Sequence, residues 1–319
     1  MSVAIVGAGA IGGLLGAYLA RSGEEVILIA RGPHLAAMQS RGVTLRSGGE
    51  EFNARPECTD DMRAIGRADV VFLTLKAHSI PAVAETIGSS LAESACIVGA
   101  QNGIPWWYFE DRHLESVDPG GIIARNIPYR KVVGCIAYPA ANVVEPGVIE
   151  HLEGNRFTLG EPDGTKSERV LAISSMLAKA GLKAPVQTRI RNEIWLKLLG
   201  NATLNPLSAL TRASLVDIVT SPATRDLVRT LMEEVDAVAK ALGVEMPLTI
   251  EKRMAGAAAI GDHRTSMLQD LEAGRPLEAD ALVGAVVELA NGAGVQVPAL
   301  NVVYGLVKLL DEKARVRAS

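Results

Sequence analysis

Cysteine is scarce in this sequence, and its scarcity closes off several chemistries. Cys58, Cys96 and Cys135 are odd in number, widely spaced and set in apolar surroundings. They offer neither a disulfide framework nor the short spacing that zinc or a redox pair requires. They read as reduced packing thiols of a cytoplasmic protein. Basic charge is also in short supply. With 32 Lys and Arg against 36 Asp and Glu the formal net charge is −4, which leaves no broad cationic surface for nucleic acid but does not exclude a local cluster for a small anion. The five histidines, His34, His78, His113, His151 and His263, contain no i, i+4 pair, so no metal is expected. No G-x-S-x-G nucleophile elbow occurs, and no fixed-period repeat, heptad seam or low-complexity tail stands out. Charge is missing altogether from Val3 to Ala20, about the length of a membrane span. No membrane segment is read there, because no basic leader precedes it and five glycines, Gly7, Gly9, Gly12, Gly13 and Gly16, are placed for another purpose.

At 319 residues the chain is too long for one ordinary core, and two domains are expected. The first starts with "VAIVGAGAIGGLLGAYLARSGEEVILIARG": an apolar strand, a G-x-G-x-x-G turn at Gly7, Gly9 and Gly12, a small-residue helix, then a second strand at Val26 to Ala30. That order turns a weak motif into a specific one. Gly7 permits the tight turn, Gly9 lets a pyrophosphate approach, Gly12 lets helix pack on strand, and the helix N-terminus supplies amides to the phosphate. The second strand ends in Ala30-Arg31-Gly32 with no carboxylate to receive the ribose hydroxyls. A guanidinium suits a 2′-phosphate, so the cofactor is read as NADPH. The continuous apolar runs "ADVVFLTLKAH" and "ACIVGAQNG" read as parallel strands buried on both faces, with Lys76 and Asn102 beyond their carboxyl ends, where ligands sit. "GVTLRSGGEEFNAR" reads as a surface hairpin turning at Gly48-Gly49, and Lys131 to Glu161 as antiparallel strands extending one side of the sheet. The fold expected is α/β, a Rossmann-type dinucleotide-binding domain over 1–188 and an all-helical substrate domain over 189–319.

Helix-period segments fill the second half, at about 190–204, 222–242, 247–259, 264–273, 278–293 and 298–314. The first of them, "IWLKLLGNATLNPL", carries Lys197, Asn201 and Asn205 at i, i+4 and i+8 in an otherwise apolar run. On one helix these would form a single polar face. Either they are structural, with a snorkelling lysine and core amides, or they line a ligand cleft.

The glycine turn, Arg31, the Lys76 strand, "QNG" at 101–103, "WLKLLGNATLNP" and "TSMLQDLEAGRPLEAD" at 265–280 together resemble the ketopantoate reductase family, the 2-dehydropantoate 2-reductases, over essentially the full chain. The resemblance implies NADPH-dependent reduction of ketopantoate or a related branched 2-oxo acid. Lys197 would be the catalytic acid and Glu278 its acidic partner; Asn102, Asn201, Asn205 and Ser266 would contact substrate. Gly7, Gly9, Gly12, Arg31, Lys76 and Asn102 would serve the nucleotide. Two features depart from the family's pattern: Leu277-Glu278-Ala279-Asp280 replaces the usual Thr-Glu-Ile-Asp, and "PWW" at Pro105 to Trp107 is unusual. A homodimer is compatible with this reading. Two alternatives stay open: a β-hydroxyacid dehydrogenase, which also uses a Lys-x-x-x-Asn helix but leads into it with glycines absent from "RIRNEIWLK", and an NADPH-binding sensor without turnover.

Overall fold

A computed structural model describes residues 1–318, with side chains to residue 316. The chain forms two units. The first comprises Met1–Gln101, Trp106–His113 and Gly120–Ile190; the second comprises Asn102–Pro105, Leu114–Pro119 and the chain from Arg191 on.

In the first unit β1 (Ser2–Val6), α1 (Ala10–Arg21), β2 (Glu25–Ile29) and α2 (Gly32–Arg41) come first, followed by β3 (Val43–Ser47), β4 (Glu50–Ala54) and β5 (Glu57–Thr59). Next come β6 (Val70–Leu73), α3 (Ala84–Ser90), β7 (Cys96–Gly99), α4 (Ile122–Asn126) and β8 (Val132–Ala137). The unit ends with β9 (Ala140–Glu145), β10 (Val148–Glu153), β11 (Phe157–Gly160) and α5 (Glu168–Lys179). A seven-stranded sheet has the order β11-β8-β7-β6-β1-β2-β5, parallel except for β11. β1, β6, β7 and β8 are buried almost throughout, as Val- and Ile-rich runs covered on both faces must be. The charge-free run from Val3 to Ala20 is thus strand, turn and helix. Among the described residues no helix is long and apolar enough to cross a membrane.

The hairpin turns at Gly48 and Gly49, both at positive φ, as a two-residue loop that follows strand twist requires. Its strands belong to a second sheet, β4-β3-β10-β9. The expectation for Lys131 to Glu161 is corrected accordingly: β8 and β11 extend the main sheet, while β9 and β10 leave it to pair with the hairpin. The second sheet packs on α1, and a Cβ on Gly13 would stand 2.1 Å from Ile149 Cδ1 of β10. Gly16 faces Leu28 and Ile5 of the main sheet instead. Small residues in α1 therefore let it lie between two sheets.

Gly99, Gly134 and Gly160 sit side by side on β7, β8 and β11. The Trp107 ring covers the first two and Ile190 the second and third. Trp106 and Trp107 are 4% and 2% exposed, so the unusual pair is packing in the first unit. Trp107→Ala should lower the unfolding free energy in urea by about 3–5 kcal/mol, the usual cost of emptying so large a core site; a loss under about 1 kcal/mol would show that the ring fills no space the fold depends on.

The second unit is helical apart from its connecting segments: α6 (Ile190–Asn201, its first residue in the first unit), α7 (Leu204–Thr211), α8 (Leu215–Thr220), α9 (Pro222–Ala241), α10 (Ile250–Ile260) and α11 (Ser266–Glu272). A π-helical turn at Asp280–Gly284 leads into α12 (Ala285–Ala293), and α13 (Pro298–Ala318) closes the chain. The single helix expected over 190–204 is really two. Pro206 has no N–H to give Ala202 and its ring excludes that carbonyl, so α6 stops at Asn201 and α7 starts at Leu204. Asn205 consequently lies on another helix than Lys197 and Asn201. Buried carboxylates hold the unit together by accepting backbone N–H groups: Glu234 of α9 takes those of Ala299 and Leu300 at the start of α13, and Asp311 takes that of Leu277.

Candidate functional site

In the first unit the candidate residues gather at the turn between β1 and α1. Gly7 has φ +101°, and a Cβ there would meet Leu75 N at 2.9 Å; on Gly12 it would lie 2.3 Å from the Gly7 carbonyl and 2.5 Å from Thr74 Oγ1. Both are glycine for reasons internal to the fold. Gly9 differs. Its φ is −74° and nothing lies within 4 Å of where its Cβ would be, so the protein itself does not demand glycine there. A phosphate pressed onto that backbone would, and the first turn of α1 carries no acidic residue to repel it.

Thr74 donates to the Gly7 carbonyl at 2.7 Å, and His34 of α2 donates from Nε2 to the Ala8 carbonyl at 2.9 Å. The tautomer follows from the other ring nitrogen, because Nδ1 accepts the Gly147 N–H at 3.0 Å. Burial holds this imidazole below the ordinary histidine pKa, against the opposing effect of the Ala8 bond. A neutral His34 thus fastens the glycine turn to the β9–β10 loop, a role that spacing alone did not suggest. Arg31 lies exposed at the N-cap of α2, and Lys76 lies half-buried just past β6.

The second unit carries a polar cluster of its own. Trp195 is fully buried, and Lys197, about 200° further round α6, is half-buried on the opposite side. Its ammonium donates to Asn102 Oδ1 at 2.7 Å, and Asn102 Nδ2 donates to Glu278 Oε2 at 3.4 Å. The amide has one workable orientation, since an ammonium has only donors and a carboxylate only acceptors. Glu278 is 8% exposed and its flanks are tied to α13. Leu277 N–H reaches Asp311 at 2.9 Å, and Asp280 receives Tyr304 Oη at 2.6 Å and Lys308 Nζ at 2.9 Å. Burial first, then the bond to Asp280, pushes the Tyr304 phenol well above its ordinary pKa, so it remains a donor. Asn201 follows Lys197 by one turn of α6, Asn205 is buried in α7, and Ser266 is exposed at the start of α11. Among the described residues these three make no side-chain hydrogen bond to Lys197, Asn102 or Glu278.

A Rossmann sheet with an open glycine turn, and a helical unit carrying an ammonium, amide and carboxylate in hydrogen-bonded series, define the class of pyridine-nucleotide-dependent reductases. The chain belongs to the ketopantoate reductase family: residues 3–164 match Ketopantoate reductase PanE/ApbA and residues 189–311 its C-terminal counterpart. It is similar to the 2-dehydropantoate 2-reductase of Mesorhizobium japonicum, at 46% identity over 97% of this chain and 98% of that one. The enzyme of that name from Archaeoglobus fulgidus is 30% identical over 96% of each chain. The crystal structure of a PanE/ApbA family ketopantoate reductase from Ralstonia eutropha JMP134 superposes with a TM-score of 0.87 at 28% identity, covering 99% of this chain and 100% of that one.

The two kinds of glycine give contrasting expectations. Gly9→Ala should keep the melting temperature within about 2 °C, since no atom is displaced, yet weaken pyridine-nucleotide binding by about tenfold or more. Gly12→Ala should lower stability by roughly 1–3 kcal/mol through overpacking. Calorimetric melts and fluorescence titration of both variants check this, and nucleotide binding by Gly9→Ala equal to wild type would remove the turn from the cofactor site.

Proposed function

We infer that the protein reduces 2-dehydropantoate, or a closely related branched 2-oxo acid, with NADPH. The observation that carries the reading is the Lys197–Asn102–Glu278 chain in a member of this family. Reduction of a 2-oxo acid builds negative charge on the carbonyl oxygen, and an ammonium within reach neutralises and protonates it. Lys197 is that donor. Asn102 takes up one of its hydrogens and fixes its direction, while Glu278 keeps positive charge favourable in a half-buried place and is available to a substrate hydroxyl. Asn201, Asn205 and Ser266 orient the keto acid as neutral hydrogen-bonding groups.

Gly7, Gly9 and Gly12 with the first turn of α1 would hold the pyrophosphate, and Arg31 the 2′-phosphate, with Lys76 and Asn102 toward the nicotinamide side. The bound nucleotide supplies the hydride. The residue series supports an enzyme over a sensor, since binding alone has no use for a positioned ammonium.

The direct test is loss of NADPH absorbance across a panel of 2-oxo acids, ketopantoate and tartronate semialdehyde included. Turnover confined to tartronate semialdehyde would favour the β-hydroxyacid dehydrogenase reading, and no turnover with any of them the sensor. Lys197→Ala should lower kcat by roughly 10²- to 10⁴-fold, the range for a positioned general acid, with NADPH affinity little changed. Near-normal turnover in that variant would make Lys197 structural. Arg31→Ala should raise the KM for NADPH by about tenfold or more while leaving that for NADH nearly unchanged, since only the former has a phosphate to meet; equal effects would refute NADPH selection by Arg31.

A further inference from the structure

Asn102 lies in a short stretch, Asn102–Pro105, that groups with the second unit although the chain on either side of it belongs to the first. What fastens the stretch is the π-helical turn after Glu278. In an α-helix the Ala285 N–H would serve the Ala281 carbonyl; here it reaches one residue further back, to Asp280. The Ala281 carbonyl instead receives the Ile104 N–H at 3.0 Å. Gly103 is pressed against the same peptide. Its φ is +83°, and a Cβ on it would stand 2.1 Å from Ala281 O and 2.6 Å from Ala281 C. Any side chain at 103 would therefore be strained twice, by backbone conformation and by contact with a carbonyl that cannot yield as a side chain would.

The π-turn is itself braced. Asp280, its first residue, is bonded to Tyr304 and Lys308 of α13, and Gly284, its last, lets Tyr304 approach so closely that a Cβ would lie 2.8 Å from the phenol oxygen. Glu278 sits just before the turn and Asn102 just before Gly103. One close approach thus sets where both ends of the Asn102–Glu278 bond lie.

We propose that Gly103 is a positioning residue of the reductase site: its contact with the Ala281 peptide holds the Asn102 amide between Lys197 and Glu278, and so aims the ammonium. The inference rests on the reductase reading. It extends the working set beyond the groups that touch substrate to Gly103, Ile104 N–H and the π-turn.

The test uses Gly103→Ala in the full chain. A site displaced by a fraction of an ångström to an ångström should lose roughly 10- to 100-fold in kcat, with the KM for NADPH and its binding constant within about twofold of wild type. The NMR signals of the Lys197 side chain, identified by their loss in Lys197→Met, should shift. A folded variant with wild-type kcat and unshifted Lys197 signals overturns the proposal. Amide exchange in the wild-type protein covers the case of a variant that does not fold: Ile104 N–H should be protected as a bonded group, and exchange at the rate of an open loop equally overturns the docking. If wild type reduces no 2-oxo acid, the reductase reading falls, while Ile104 exchange and the Lys197 signals still decide whether Gly103 holds the amide.

Discussion

An ammonium half-sunk in a helical unit is the constraint from which much of the second unit follows. Charge taken from water must be met by acceptors of fixed direction. Lys197 meets the carbonyl oxygen of Asn102, whose nitrogen then needs an acceptor and finds Glu278. Glu278, nearly buried, needs a fixed backbone of its own. Asp311 and Asp280 provide it through Leu277 N–H, Tyr304 and Lys308. Each requirement is passed one residue further from the ammonium until it ends in a long, well-anchored helix, whose own N-terminal amides are held by Glu234.

The first unit is governed by space instead of charge. Its glycines fall into groups with different causes: Gly12, Gly13 and Gly16 admit α1 between two sheets, Gly99, Gly134 and Gly160 admit Trp107 and Ile190, and Gly9 admits nothing that belongs to the protein. Gly256, Gly292 and Gly305 of the second unit are equally open, so Gly9 bears on a ligand only through its place at the N-terminus of α1.

These distinctions show how far the residues alone could be read. The parallel sheet was legible because its strands are long apolar runs bounded by glycine turns, and the hairpin because two adjacent glycines leave few other conformations. The partner of that hairpin was not, since β9 and β10 carry the same alternation as strands that stay with the main sheet. Lys197 and Asn201 could be singled out from local pattern, Glu278 only through the family resemblance of its segment. The break between α6 and α7 has its signal in Pro206, whose effect falls four residues back, inside the i, i+4, i+8 spacing that otherwise reads as one helix. Short α8 had its own signal in the Ser214-x-x-Asp217 capping box. The π-turn had none, for its extra residue is stabilised by partners on α13 and in Asn102–Pro105 that no window of sequence contains.

An amide between the ammonium and the carboxylate also has a chemical consequence. Asn102 is neutral. It fixes the ammonium's direction through one hydrogen at 2.7 Å, and an ammonium has two more to give. Orientation is thereby set by Asn102 and the peptide it rests on. The position of Asn102 then matters more than its chemistry would suggest, because the same amide meets the ammonium through its oxygen and the carboxylate through its nitrogen.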